Sequence, residues 1–214
     1  MSYGLTKTGF SLYSLLYLKF KTAPFNLDSV RWYFSKPMLK KLVFQLVSAG
    51  WVQSVERGTY RCVQPEIAIA GLFSPRIEPV LKESNVTYSF TGASAAEIWS
   101  DGSYIQRSWE YTPFFVKVLK SDLKQWARWL NSKGVNFFIK TPKNVVGEFL
   151  VLTQVSSLKP SFHNGKPVDS LEETIEFCES NRASFEYVLA YIQNKYHQQT
   201  TASEEFLAKA REAL

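Results

Sequence analysis

The stretch Phe25–Val63 reads FNLDSVRWYFSKPMLKKLVFQLVSAGWVQSVERGTYRCV, and its punctuation decides how the first part of the chain folds. One apolar-periodic segment runs from Leu27 to Phe34. A second runs from Pro37 to Ser48 and stops at Gly50. Two short apolar runs follow, Trp51-Val52 and Tyr60 to Val63, joined by a tip that contains Glu56-Arg57-Gly58. Helix, turn, helix, then a hairpin is the order of a winged helix-turn-helix, so this spacing predicts that fold. Upstream, Met1 to Phe20 supplies Leu5, Phe10, Leu12, Leu15, Leu16 and Leu18 for a supporting first helix, which Thr22-Ala23-Pro24 ends.

The second segment carries its own boundary signals. Ser35 is a suitable N-cap, because its hydroxyl accepts from the free N–H groups of a first turn. Pro37 sits in that turn, where a missing N–H costs little, and Gly50 suits the left-handed residue that closes a helix. Leu39, Leu42, Val43, Leu46 and Val47 recur at helical spacing and form an apolar face. The opposite face holds Lys41, Phe44 and Ser48, flanked by Lys40 and Gln45, with Lys36 at the N-terminal end. A helix-turn-helix places the N-terminal part of this second helix in the major groove, and Lys36, Lys40 and Lys41 are where it needs positive charge. Arg57 at the hairpin tip and Arg61 on the return strand would reach neighbouring phosphates, and Ser35 and Thr59 would add neutral phosphate contacts. Solvated lysines on an exposed face would look the same in isolation. An exposed Phe44 suits either a thymine methyl or packing under another domain, and packing is the expectation here.

Charge distribution separates these readings. Residues 1–63 carry nine basic side chains (Lys7, Lys19, Lys21, Arg31, Lys36, Lys40, Lys41, Arg57 and Arg61) and two acidic ones, Asp28 and Glu56. The remaining residues carry 16 basic and 17 acidic side chains, so the net +6 of the chain is an N-terminal property. Concentrated positive charge releases counterions from nucleic acid, the sequence-independent part of DNA affinity.

Composition bounds the rest. The chain has 214 residues, 45% hydrophobic and 15% aromatic, enough for two small domains. No apolar run approaches the roughly 18 residues of a membrane span, and the N-terminus reads as an amphipathic helix rather than a secretory signal. Cys62 and Cys178 belong to no redox or metal motif, and His163 and His197 do not complete a zinc site with them. A reducing, cytoplasmic setting with no cofactor, no metal and no membrane contact is expected.

Proline punctuation and the change of charge place a boundary between residues 66 and 67, after which an α+β domain with a small sheet and C-terminal helices is expected. Ile67 to Phe73 and Ile77 to Leu81 read as helical pieces around Pro75. Val86 to Phe90 alternates like a strand, turns at Thr91-Gly92 and enters a helix through Trp99; a single glycine there matches no phosphate loop. Asp101 to Thr112, with Trp109, reads as a surface loop or hairpin. Phe114–Leu119, a helix capped by Ser121 and ended by Gly134, and Val135–Ile139 read as a parallel strand-helix-strand crossover. Lys124, Arg128 and Lys133 on that helix read as solvated. Glu148–Val155 adds a strand. Ser156–Val168 reads as a loop with a hairpin-type turn at Asn164-Gly165, where His163 is expected to be exposed. Helices follow from Asp169, Ser184 and Ser203; the last, with Phe206, Leu207, Ala210 and Leu214, suits either the body or a partner.

GWVQSVERGTYRC at residues 50–62, followed by TYSFTGASAAEIW at residues 87–99, resembles the AbiE-type antitoxin (AbiEi) family. Gly50, Trp51, Val52, Arg57, Gly58 and Tyr60 fill the family's pattern at the end of its winged helix. Tyr88, Thr91, Gly92, Ala95 and Ala96 fill the strand-turn-helix that opens its C-terminal domain. The likeness covers roughly residues 25–100. It implies a repressor that binds promoter DNA and whose C-terminal domain counteracts a nucleotidyltransferase-like toxin. The short wing and Glu56 depart from the family pattern, which tends to be basic there.

Two other classes remain open at this stage. An enzyme acting on nucleic acid, a nucleotidyltransferase or nuclease, would need clustered carboxylates for metal ions. Glu172-Glu173 and Glu204-Glu205 come nearest, and both read as first-turn helix acids. Gly102-Ser103 lacks the following Asp-x-Asp of a nucleotidyltransferase. A protein-docking scaffold would use the same helices without DNA. The oligomeric state is open.

Overall fold

The computed structural model describes residues 5–30, 33–73, 77–108, 110–142 and 144–214. Met1, Arg31, Pro75 and Trp109, which entered the sequence reading, lie outside them. The described chain is α+β, with helices packed on two sheets.

The N-terminal unit starts with α1 (Lys7–Phe20), whose Thr6 hydroxyl accepts from Gly9 N at 3.0 Å. Strand β1 (Phe25–Asn26) leads into a 3-10 turn at Leu27–Val30, then α2 (Lys36–Ser48). The helix expected from Leu27 to Phe34 is therefore one short turn among the described residues. Asn26 explains this locally: its Oδ1 accepts from Ser29 N at 3.0 Å, a side-chain turn that competes with α-helix. Strands β2 (Val52–Glu56) and β3 (Thr59–Cys62) form a hairpin, and β1 joins it in a three-stranded sheet of order β1-β3-β2. Gly50, at φ +77°, makes the turn out of α2 that a side chain would strain.

Apolar spacing fills the core between these elements. Leu12 and Leu16 of α1 meet Leu39, Leu42, Val43 and Leu46 of α2 in one cluster, with Trp51 and Cys62. Trp51 anchors it edge-on to Tyr13 at 4.8 Å and to Phe10 at 5.6 Å. The Tyr13 hydroxyl donates to Val63 O at 2.7 Å, so the ring's polar end is satisfied.

Helices α3 (Pro65–Phe73) and α4 (Ile77–Lys82) connect to the second unit. The boundary expected between residues 66 and 67 falls inside α3, and Ala68 belongs to the first core. The chain start ties the units together. Val146 N donates to Leu5 O at 2.7 Å, Lys7 N donates to Asn144 O at 3.3 Å, and Val146 packs into the N-terminal core.

The second unit is built on a six-stranded mixed sheet. Its strands are β4 (Tyr88–Phe90), β5 (Tyr111–Leu119), β6 (Phe137–Phe138), β7 (Gly147–Val155), β8 (Ser161–His163) and β9 (Lys166–Val168), in spatial order β6-β7-β5-β4-β9-β8. Between β5 and β6 runs α6 (Leu123–Ser132), and β6 is not the neighbour of β5 that a simple crossover predicts, because β7 lies between them. The reason is length and apolarity. The nine residues of β7 pair in parallel with all nine of β5 and bury Phe149, Leu150 and Leu152, whereas β6 has two residues and suits an edge. The segment expected as a loop at 156–168 is a hairpin. Asn164 and Gly165, at φ 50° and 72°, form its turn, and β9 adds to β4 in parallel.

Helix α5 (Gly92–Trp99) follows β4, and α7 (Leu171–Ser180), α8 (Arg182–Tyr196) and α9 (Glu204–Arg211) complete the unit. Ser170 and Glu173 form a reciprocal capping box at α7. Helix α9 packs on the body: Leu207 and Ala210 bury against Ala190 and Tyr191, and Asn194 Nδ2 donates to Leu207 O at 2.9 Å. No described helix is long and apolar enough to cross a membrane.

Candidate nucleic-acid interface

Helix α2 presents the candidate side chains because its other side is committed to the core. Leu39, Leu42, Val43 and Leu46 are buried, which turns Lys36, Lys40 and Lys41 to solvent. Ser35 occupies the N-cap position with extended backbone, but its side chain makes no cap hydrogen bond. Lys36 Nζ lies 3.9 Å from Asp28 Oδ1, and both side chains are about two-thirds exposed, a surface pair of little energetic weight.

The hairpin contributes the rest. Arg57 is exposed at the tip beside Gly58, whose φ is +84°. Thr59 donates its hydroxyl to Glu56 Oε1 at 3.2 Å, so Glu56 engages the neutral group expected to meet phosphate. Arg61 donates Nε to Gln53 Oε1 at 2.9 Å, across the registered pair Gln53↔Arg61. That bond takes one of five guanidinium donors and holds the side chain along the hairpin. All eight described basic residues before residue 64 are exposed. No side chain in this group has a displaced pKa to suggest proton-transfer chemistry, and the arrangement offers positive charge and hydrogen-bond donors.

Two residues of α2 differ from expectation. Phe44, expected to pack, is 58% exposed; it borders a cleft of about 360 Å³ between the two units, which approach it without closing over it. Gln45, expected on the edge of the outer face, is 8% exposed and its Oε1 has no hydrogen-bond partner among the described residues. The hairpin and neighbouring elements, not the helix alone, decide that burial. The apolar reading of the sequence also passed over Tyr33, Met38 and Val55, which are exposed around the same elements. Met38 offered a signal, since it lies off the Leu39–Leu42–Val43–Leu46 face.

The second unit holds polar clusters that the sequence did not reveal. Asp101, expected in a surface loop, accepts from His163 Nε2 at 3.0 Å, Asn164 Nδ2 at 2.8 Å, Tyr191 OH at 3.0 Å and the Lys195 ammonium. Burial pushes its pKa up, but these donors outweigh burial and hold the carboxyl well below the usual range. His163, expected to be exposed, is partly buried against the Trp99 ring at 4.5 Å between centroids. Lys117 Nζ lies 2.8 Å from the buried Asp169 and 3.1 Å from Glu173, and Ser89 donates to Asp169 at 3.1 Å. Burial alone would lower the Lys117 pKa; the two carboxylates raise it. Glu173 is thus a helix cap and a lysine partner at once. Of the helix residues that read as solvated, Lys124 and Arg128 are exposed, and Lys133 bonds to Glu83 at 2.6 Å.

Compared with protein-family models, curated proteins and solved structures, the chain matches none.

Proposed function

We propose that residues 1–66 form a winged helix-turn-helix that binds double-stranded DNA through α2 and the β2–β3 hairpin. On this reading the protein is a sequence-specific, cytoplasmic transcriptional regulator, the autoregulating antitoxin of a toxin–antitoxin pair. Residues 67–214 would counteract a nucleotidyltransferase-like toxin.

The observation that carries the DNA-binding part is the outer face of α2. Lys40 and Lys41 stand exposed on a helix anchored by four buried aliphatic residues, with no acidic partner among the described residues. The order α1, β1, a short helical turn, α2 and a hairpin, with β1 completing the sheet, supports the winged-helix reading. Exposed Arg57 and Arg61 extend the positive surface onto the hairpin. Phosphate contacts from such residues position a protein on DNA, and base contacts from the helix specify sequence. The antitoxin part rests on the family resemblance at residues 50–62 and 87–99.

The test is fluorescence anisotropy with duplex from the DNA upstream of this chain's own coding sequence, against a scrambled duplex, at two salt concentrations. The reading expects tighter binding to the upstream duplex and steep weakening with salt. Equal affinity for both duplexes would contradict sequence-specific autoregulation, and absence of binding at low salt would contradict DNA binding.

A further inference from the structure

The cleft beside Phe44 is formed by both units. Phe44 and Ser48 of α2 and Trp51 just after it make one wall, and Asn131 and Asn136 around the end of α6, with Glu148 at the start of β7, make the other. Its volume, about 360 Å³, suits a small organic molecule, and ligand sites of roughly 300–1,000 Å³ favour such inter-unit positions. Glu148 is the one charged side chain among the described residues that line it. Its Oε2 accepts from Ile77 N at 3.2 Å, which fixes the carboxylate at the start of α4. A carboxylate and two aromatic side chains around a largely apolar space form a receptor for a cation with an apolar body, since ring faces and carboxylate both attract positive charge.

We infer that this cleft is a binding site for a small organic cation with an aromatic or aliphatic body, and that its occupancy controls DNA binding by α2. The control rests on the DNA-binding reading; the site does not. Coupling follows from geometry. Phe44, Ser48 and Ala49 line the cleft on the helix that carries Lys36, Lys40 and Lys41, so a ligand touching both walls favours one placement of α2 against the second unit. A ligand shifts such an equilibrium by its difference in affinity for the two placements.

The experiment uses the full chain with tryptamine and phenethylamine as cationic probes, and 3-ethylindole and indole-3-propionate as neutral and anionic controls. Thermal unfolding is recorded for the wild-type chain, Ser48→Trp, which fills the cleft, and Glu148→Gln, which keeps an oxygen for Ile77 N and removes the charge. At millimolar concentration the amines are expected to raise Tm of the wild-type chain and the controls are not. Ser48→Trp is expected to abolish the rise, and Glu148→Gln to weaken amine affinity about tenfold or more, the loss that goes with a charge-assisted contact. No shift with either amine, an equal shift with 3-ethylindole, or an unaltered affinity in Glu148→Gln overturns the site; the last holds even if Ser48→Trp fails to fold. Saturating tryptamine is then expected to change duplex affinity about fivefold or more, and not in Ser48→Trp. Amine binding with unchanged duplex affinity overturns the control. A chain that binds no duplex overturns the control and the DNA-binding reading together, while the Tm series still decides the site.

Discussion

The basic residues before position 64 and those after it keep different company. In the second unit they are paired at short range: Lys117 with Asp169 at 2.8 Å, Lys133 with Glu83 at 2.6 Å, Lys166 with Glu78 at 3.0 Å, and Arg107 and Lys195 with Glu97 and Asp101. In the first unit the ion pairs among the described residues are long, Lys7 to Glu110 at 4.0 Å and Lys36 to Asp28 at 3.9 Å. The lesson concerns what each charge is for. A paired, partly buried charge holds neighbouring elements together, and removing its partner leaves a desolvated charge behind. An exposed charge without a close partner contributes little to folding and is available to a phosphate. The first unit is held by Leu12, Leu16, Leu39 and Leu46, with its charge outside.

That contrast can be broken by substitution, beginning where the effect is largest. Leu46, fully buried under α1, is expected to cost about 2–5 kcal/mol of stability as Leu46→Ala, read by urea unfolding. A loss under 1 kcal/mol would mean that the N-terminal core is not what holds α2. Lys117→Met keeps the length of the side chain and strands Asp169 at 5% exposure, so about 2–3 kcal/mol should be lost. Stability equal to wild type would show the C-terminal pairs to be as dispensable as surface ones.

Asp101→Asn puts an amide where four donors converge, and about 1–3 kcal/mol is expected from the mismatch. The acid limb gives a sharper readout. The folded Asp101 carboxyl titrates below its unfolded value of about 3.9, so its contribution is complete above that pH and lost as the pH falls further. Wild-type Tm should therefore decline more steeply than that of Asp101→Asn below about pH 4. Parallel acid limbs would remove Asp101 from the account. The smallest effect belongs to the hairpin tip. Arg57→Ala should leave Tm unchanged, weaken all duplexes to a similar degree and reduce the slope of log affinity against log salt by about one.

The sequence made some of this legible and hid the rest for physical reasons. The limits of α2 were readable from Ser35, Pro37 and Gly50, because caps and glycine turns are local chemistry. The exposed lysines were readable because helical spacing ties them to the buried leucines. The residues from Leu27 misled, since the Asn26 turn competes with the helix that their apolar spacing suggests. The hairpin at 161–168 was masked by Pro160 and Pro167, although its Asn164-Gly165 turn was visible. The Asp101 cluster was invisible because its partners lie 62 to 94 residues away in the chain. Gln45 and Phe44 were misplaced because the approach of other elements, not helical periodicity, sets their exposure.

The most direct test of the central claim is the paired reversal Lys40→Glu and Lys41→Glu, followed in one sample set by thermal unfolding, circular dichroism and duplex anisotropy near 0.1 M salt. The charge face is functional and not structural on this account, so the spectrum and Tm should match wild type while duplex affinity falls about 100-fold or more. Retained duplex affinity with an intact fold would contradict DNA binding through α2, and loss of the fold would contradict the division of roles between the two groups of charges.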